Sequence, residues 1–307
     1  MTTTAMVSQA TDAGEAAAHP GDGLARAYHR GVIIAVDIGN SAAKAALVDG
    51  ETVHGSGRLD TSVASGADLL DGLRVLAGAG DEAPTSIVTV SVVDRWTERL
   101  EYAAEELSLP LTVVAGSHIP ISTALVRPDQ TGPDRLLAAW TAATTHGTPV
   151  IVIDLGTATT IDAVDGDGFF LGGAILPGLS LAADALAEGT ARLPRVELDL
   201  PDDAIGSDTM AALQSGVVIG HIGAVREIAI RMHAQMTLPS GTAGGAKVRV
   251  IISGGHASAP WATQAWLEAA GPSLPAIADE IDPDLVLRGL GMLAEHMASA
   301  PQAGVTR

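Results

Sequence analysis

Two short segments carry residues in a pattern that can do chemistry. Asp37-Ile38-Gly39-Asn40-Ser41 and Asp154-Leu155-Gly156-Thr157 each place a carboxylate two residues before a glycine, with an amide or hydroxyl side chain directly after it. The glycine lets a backbone come close to a ligand. Backbone N–H groups and Asn, Ser or Thr side chains contact phosphate oxygens, while the carboxylate faces the accompanying metal. Mg²⁺ takes one or two carboxylates beside phosphates and waters, so single acidic residues suffice. One such turn alone is equally an ordinary hairpin with a turn aspartate. Two of them, 154 − 37 = 117 residues apart, point to a phosphate site built by duplicated halves.

The surrounding elements repeat as well. Val32 to Val36 reads as a buried strand, Ala45 to Val48 as a second and Glu51 to Gly55 as a third, with Asp49-Gly50 as the hairpin turn. In the later copy the strands are Val150 to Ile153, Thr159 to Val164 and Phe169 to Gly172, with Asp165-Gly166 as the turn. Between the copies, helices are expected over 67–76, 94–107 (Asp94 as N-cap) and 133–146, and strands over 86–93 and 111–115. After the second hairpin, helices are expected over 179–188, within 208–236, over 260–270 and over 283–298, with a strand over 247–252. This alternation implies an α/β fold with mixed sheets. The expected organisation is a flexible extension over 1–30 and two similar domains over 31–146 and 147–300.

Composition removes several function classes. The chain has 307 residues and 17 Lys+Arg against 36 Asp+Glu, a net charge of −19, which disfavours nucleic acid and anionic membranes as partners. It has no cysteine, so disulfides, thiolate metal sites and a cysteine nucleophile are out. No apolar run spans a membrane and no basic-then-apolar leader opens the chain, so a cytoplasmic protein is expected. Neither lysine, Lys44 or Lys247, lies in a G-x-x-x-x-G-K-[ST] loop. There is no complete G-x-G-x-x-G, no G-x-S-x-G and no H-E-x-x-H, and the nine histidines show no ligand spacing.

At the two Asp-x-Gly turns the chain resembles the acetate-and-sugar-kinase/Hsp70/actin superfamily, and within it the type III pantothenate kinase family. The resemblance rests on Asp37 to Lys44, Gly132-Pro133-Asp134-Arg135, Asp154 to Asp162, Gly172 to Gly178, Thr190 to Pro194, Ser207-Asp208-Thr209, Ser253-Gly254-Gly255 and Asp282 to Leu285, in family order. It implies two ribonuclease-H-like domains clasping ATP and a homodimer. It further implies phosphorylation of pantothenate to 4′-phosphopantothenate, the first step of coenzyme A synthesis. Asp37, Ile38, Gly39, Asn40, Ser41, Ala42, Ala43 and Lys44 would form the first phosphate loop, with Asp37 toward Mg²⁺, and Thr157 would also contact ATP. Gly132, Pro133, Asp134, Arg135 and Thr209 would hold pantothenate. Asp134 matches the general base and Asp154 the ligand of K⁺ or NH₄⁺. Asp134 is equally an acid favoured by the helix dipole, Lys44 a solvated charge at a strand end, and Arg135 either a substrate contact or half of an ion pair. Leu125 stands where many members carry a Tyr lining the pantothenate pocket. Two other functions are compatible with the scaffold: a different small-molecule kinase, and a non-catalytic transcription-accessory protein. Retention of Asp37, Asp134 and Asp154 speaks against the latter.

Overall fold

The computed structural model describes residues 31–299 except 62–63, 239–240, 242, 244 and 269–275, so the expected extension over 1–30 lies outside the described residues. The first half runs β1 (Ile33–Ile38), β2 (Ala42–Asp49), β3 (Thr52–Asp60), α1 (Gly66–Ala77), β4 (Ile87–Ser91), α2 (Asp94–Leu107) and β5 (Leu111–Val113). A short β6 (Ser122–Thr123) and helix α3 (Pro133–His146) lead into the second half. That half runs β7 (Val150–Leu155), β8 (Ala158–Val164), β9 (Phe169–Pro177), α4 (Leu179–Gly189), α5 (Thr209–Gln214) and α6 (Gly220–Thr237). It ends with β10 (Arg249–Ser253), α7 (Ala262–Trp266), β11 (Glu280–Ile281) and α8 (Leu285–Ser299).

The duplication extends to topology. The first sheet is ordered β3-β2-β1-β4-β5, and the second contains β9-β8-β7-β10-β11 in the same sense, with β6 added beside β9. In both, the first three strands pair antiparallel and the remaining pairings are parallel. Two ribonuclease-H-like α/β units with mixed sheets are thus present. Their first strands are buried on both faces, which explains their unbroken apolar runs. Ile33 and Ala35 enter the inner core between the sheets, while Ile34, Val36 and Ile38 face α1 and α2. Likewise Val150 and Val152 enter the inner core, while Ile151, Ile153 and Leu155 face the outer layer containing α4, α6 and α7.

The third strands run further than their sequence pattern suggests, to Asp60 and Pro177 instead of Gly55 and Gly172. Each hairpin contains a bulge, between Ala46/Leu47 and Ala163/Val164, and each bulge lies beside a glycine with positive φ, Gly55 (62°) and Gly172 (95°). The glycines interrupt the alternation that signals a strand while allowing the strand to continue. Asp94 is the first residue of α2, and the cap position belongs to Val93, with no side-chain bond. The helix expected over 260–270 shortens to α7.

Two elements cross the expected division at 146/147. β6 precedes it yet pairs with β9, and α8, from the end of the chain, packs on β1, β2 and α3. A single cut in the sequence therefore does not assign every element to the sheet it serves. The first three turns of α8 are buried almost all round, from Leu285 to Ala294, as befits an internal helix. Asp282 accepts a bond from the N–H of Asp284 and another from Arg288 Nε (3.1 Å), and Arg288 Nη1 donates to Glu51 O (2.6 Å) on the first hairpin. The close approach requires Gly291, where a Cβ would sit 2.3 Å from Gly50 O. Gly291→Ala is therefore expected to destabilise the protein by on the order of 1–3 kcal/mol through overpacking, lowering the thermal midpoint by several degrees. An unchanged midpoint would refute this account of the contact.

Candidate active site

Strand parity aims the two aspartates. Asp37 is the fifth residue of β1 and Asp154 the fifth of β7, so each shares the inner face with the first and third residues of its strand. Both emerge where the inner core ends, and both line one cavity of about 310 Å³ between the sheets. The two loops that follow touch each other, since Thr157 Oγ1 donates to Ser41 Oγ at 2.9 Å. Gly39, Asn40, Ser41, Ala42 and Lys44 line this cavity with Gly156 and Thr157, whereas Ile38 and Ala43 are buried under the loop.

Helix α3 brings the third carboxylate. Gly132 is its N-cap, Pro133 its first residue and Asp134 its second, and Asp134 and Arg135 line the cavity. A Cβ on Gly132 would lie 2.3 Å from Asp134 Oδ1, so glycine leaves room for that carboxylate to fold back over the helix end. Arg135 forms an ion pair, one of the two contacts left open by the sequence. Its Nε donates to Asp162 Oδ2 at 3.1 Å and its terminal nitrogen to Oδ1 at 2.5 Å, and Asp162 is 2% exposed on β8. Burial pushes the Asp162 carboxyl upward, and the bonds from Arg135 oppose the shift. A bidentate pair of this kind fixes the guanidinium plane. Gly173 makes room for Asp162, because a Cβ there would lie 2.6 Å from Oδ1 and 1.9 Å from Ile161 O.

The electrostatics are those of crowded carboxylates. Asp37 is raised from 3.8 to about 7, first by burial and then by the charges of Asp154 and Asp134, with Lys44 opposing. Asp154 is also raised to about 7, by burial and then by Asp134 and Asp162, again with Lys44 opposing. Asp154 is further enclosed by Gly254, whose φ of 93° is open to glycine and whose Cβ would lie 2.6 Å from Asp154 Oδ1. Lys44 lines the cavity without being free in it: Nζ donates to Pro283 O at 2.7 Å and pairs with Asp284 at 2.7 Å.

Other expected residues lie elsewhere. Thr209 is exposed at the first position of α5, outside the cavity lining, and Asp208 caps that helix by accepting from Ala211 N at 2.9 Å. Leu125 packs on Gly172, where a Cβ would meet Leu125 Cδ2 at 2.9 Å. Also lining the cavity are residues without a role in the sequence reading, among them Arg58, Ser180, His256 and Asp162. Of these, Asp162 had a visible signal, a carboxylate inside the otherwise apolar and β-branched run Ala158 to Val164. His256 bonds to Leu155 O (3.3 Å) through Nδ1 and to Ser180 Oγ (3.3 Å) through Nε2.

Comparison with known proteins agrees with this geometry. A sequence model of the family described as type III pantothenate kinase matches residues 33–231. A type III pantothenate kinase from Dehalococcoides mccartyi (strain ATCC BAA-2266 / KCTC 15142 / 195) is 34% identical over 267 residues, 85% of this chain and 96% of that protein. Another, from Rhodospirillum centenum, is 34% identical over 275 residues, 87% of this chain and 100% of that protein. Among solved structures, a Campylobacter jejuni protein assigned to the Baf family of transcriptional activators superposes with a TM-score of 0.51 at 20% identity, covering 86% of this chain and 98% of that one. At that identity the superposition speaks for the fold alone. From the family match and the identity to full-length relatives together, the chain belongs to the type III pantothenate kinase family.

Proposed function

We propose that the protein transfers the γ-phosphoryl group of ATP to the primary hydroxyl of pantothenate, the first step of coenzyme A synthesis. The observation that carries this reading is the opening of both Asp-x-Gly turns and the acidic N-terminus of α3 onto one cavity. Phosphoryl transfer asks little covalent chemistry of a protein and much positioning and charge stabilisation. Backbone N–H groups of the 37–44 loop, with Asn40, Ser41 and Thr157, face the phosphates. Gly132, Pro133 and Arg135 border the acceptor, with Arg135 held rigid by Asp162. The hydroxyl oxygen bonds to the γ-phosphorus, the bond to the β,γ-bridging oxygen breaks, and the proton passes to Asp134, leaving ADP. Thr209, exposed and outside the cavity, joins the acceptor site in the homodimer that this reading includes.

Cations belong to the same reading. Among the described residues no three His, Cys, Asp or Glu side chains form a ready-made metal cage. Mg²⁺ does not need one, because phosphates and waters complete its shell. Asp37 would hold Mg²⁺ and Asp154 would hold K⁺ or NH₄⁺, and the burial and neighbouring carboxylates that raise both aspartates are what a bound cation would offset. Bound there, the cations supply positive charge against the phosphates. A cytoplasmic location completes the reading; among the described residues no helix is long and apolar enough to cross a membrane.

Three outcomes test it. Asp134→Asn should lower kcat by about 10²–10⁴, the usual worth of a general base, while ADP affinity by equilibrium titration stays within a few-fold. A near-normal kcat would remove Asp134 from that role. Replacing K⁺ by Na⁺ should reduce turnover, and indifference to the exchange would take the monovalent cation away from Asp154. Because the folded-state values lie above the ordinary 3.8, the penalty the two aspartates place on the ligand-free protein builds as pH rises from 3.8 to about 7 and is complete above that. Asp154→Asn should therefore raise the ligand-free thermal midpoint most at pH 8 and least below pH 4. A midpoint below that of the parent at pH 8 would contradict this account.

A further inference from the structure

Three cationic side chains with permanent charge line the cavity, and two are already committed. Lys44 is paired with Asp284 and Arg135 with Asp162. Arg58 has neither an ion pair nor a hydrogen bond to its side chain among the described residues. Its position follows from register: Asp37 on β1 stands opposite Lys44 on β2, and Lys44 opposite Arg58 on β3. Directly opposed residues of antiparallel strands project to the same face, so one row carries Asp37, Lys44 and Arg58 toward the cavity. The matching row of the second sheet, Asp154, Thr160 and Ile175, contains no cation.

Arg58 also reaches across the cleft. A Cβ on Gly255 would lie 2.4 Å from Arg58 Nη1, so the guanidinium of the first half rests on the Gly254-Gly255 turn that ends β10 of the second. The neighbouring ring does not duplicate its charge. Burial lowers the His256 pKa, the bond to Leu155 O opposes this, and Arg58 lowers it further, so at neutral pH the imidazole is uncharged. In a chain of net charge −19, an unpaired guanidinium on the wall of an acidic cavity is the group most available to an incoming polyanion.

We propose that Arg58 is a nucleotide-positioning residue: its guanidinium bonds the phosphate chain of the nucleotide from β3 and draws the two halves together over it, while Lys44 serves mainly to hold the loop before α8. This deepens the kinase reading and rests on it. A charge-assisted bond to phosphate matches the planar fork of arginine better than the point charge of lysine.

The test uses Arg58→Ala and Arg58→Lys in the full chain. Titration with AMP, ADP and ATP should show ADP and ATP affinity weakened about 10-fold or more in Arg58→Ala, as expected for a lost bond to a charged group, and the loss should grow from AMP to ADP. KM for ATP should rise in parallel, KM for pantothenate should stay within about twofold, and Arg58→Lys should recover part of the loss. The ligand-free thermal midpoint should not move, since the side chain is exposed and unpaired. Unchanged ADP affinity overturns the proposal, as does an equal loss for AMP, ADP and ATP accompanied by a lower midpoint, which would mark a merely structural contact. If the parent protein shows Arg58-dependent ADP binding but does not phosphorylate pantothenate, the acceptor reading fails and the Arg58 assignment stands. If turnover is intact and Arg58→Ala keeps full ADP affinity, the assignment alone fails.

Discussion

The burial of Asp37 and Asp154 close to other carboxylates is the constraint the architecture must withstand. Asp37 and Asp154 are pushed to about 7 by burial first, then by Asp154 and Asp134 for the former and by Asp134 and Asp162 for the latter, far above a solvated aspartate. A charge cluster this crowded would open the cleft if it stood on flexible segments. Instead each carboxylate stands on an element fixed by apolar burial. Asp37 and Asp154 end central strands buried on both faces, and Asp134 opens a helix with Leu136, Leu137, Ala138 and Ala139 buried. The apolar core thus holds open an unfavourable electrostatic arrangement, which the cations and phosphates of the proposed reaction would make favourable. Such trading of stability for function is typical of binding sites.

The inner core is what makes this possible. It is formed by the inward faces of both sheets together with α3 and α8, so the two halves share one apolar body instead of merely touching. α8 is the closing piece. It comes last in the chain but packs on the first sheet, and its approach depends on Gly291 against Gly50 and on Arg288 reaching Glu51 O. The segment leading into it does two jobs with adjacent acids: Asp282 orders the start of the helix, and Asp284 holds Lys44. One short acidic stretch thereby couples α8 to Lys44 at the end of the 37–44 segment.

Much of this could be seen in the residues themselves, for identifiable reasons. The duplicated strand-turn-strand pattern was visible because both faces of β1 and β7 are apolar and each strand ends in an Asp-x-Gly turn. Helices α2 and α3 were legible to their boundaries, the latter because Gly132 and Pro133 open it and Gly147 closes it. The far ends of β3 and β9 were hidden by glycines at bulges. The attachment of α8 to the first sheet was hidden because tertiary packing, not periodicity, decides which sheet an apolar helix covers. Within the site, Asp37, Asp134 and Asp154 were legible as turn and helix-start residues. Arg58 and His256 were not, because nothing local distinguishes an arginine on an exposed edge strand or a histidine in a turn. Only the register Asp37–Lys44–Arg58 and the approach of Gly255 give Arg58 a place.

The two halves also diverged in a way that assigns their tasks. Both kept the aspartate at the fifth position of the first strand, but the residues opposite it differ. In the first half Asp37 faces Lys44, and Arg58 stands beyond. In the second, Asp154 faces Thr160 and Ile175 stands beyond, 63% exposed. Asp37 therefore has side-chain cations in its own hairpin, whereas among the described residues the cation that eases Asp154 is Lys44 from the other sheet, the last of the influences upon it. Asp154, raised by burial first and then by Asp134 and Asp162, is therefore left without a cation in the row of its own hairpin. The proposed reading, in which Asp154 would hold the monovalent ion, follows this asymmetry: the residue paired with the aspartate is a cation in the first half and a threonine in the second.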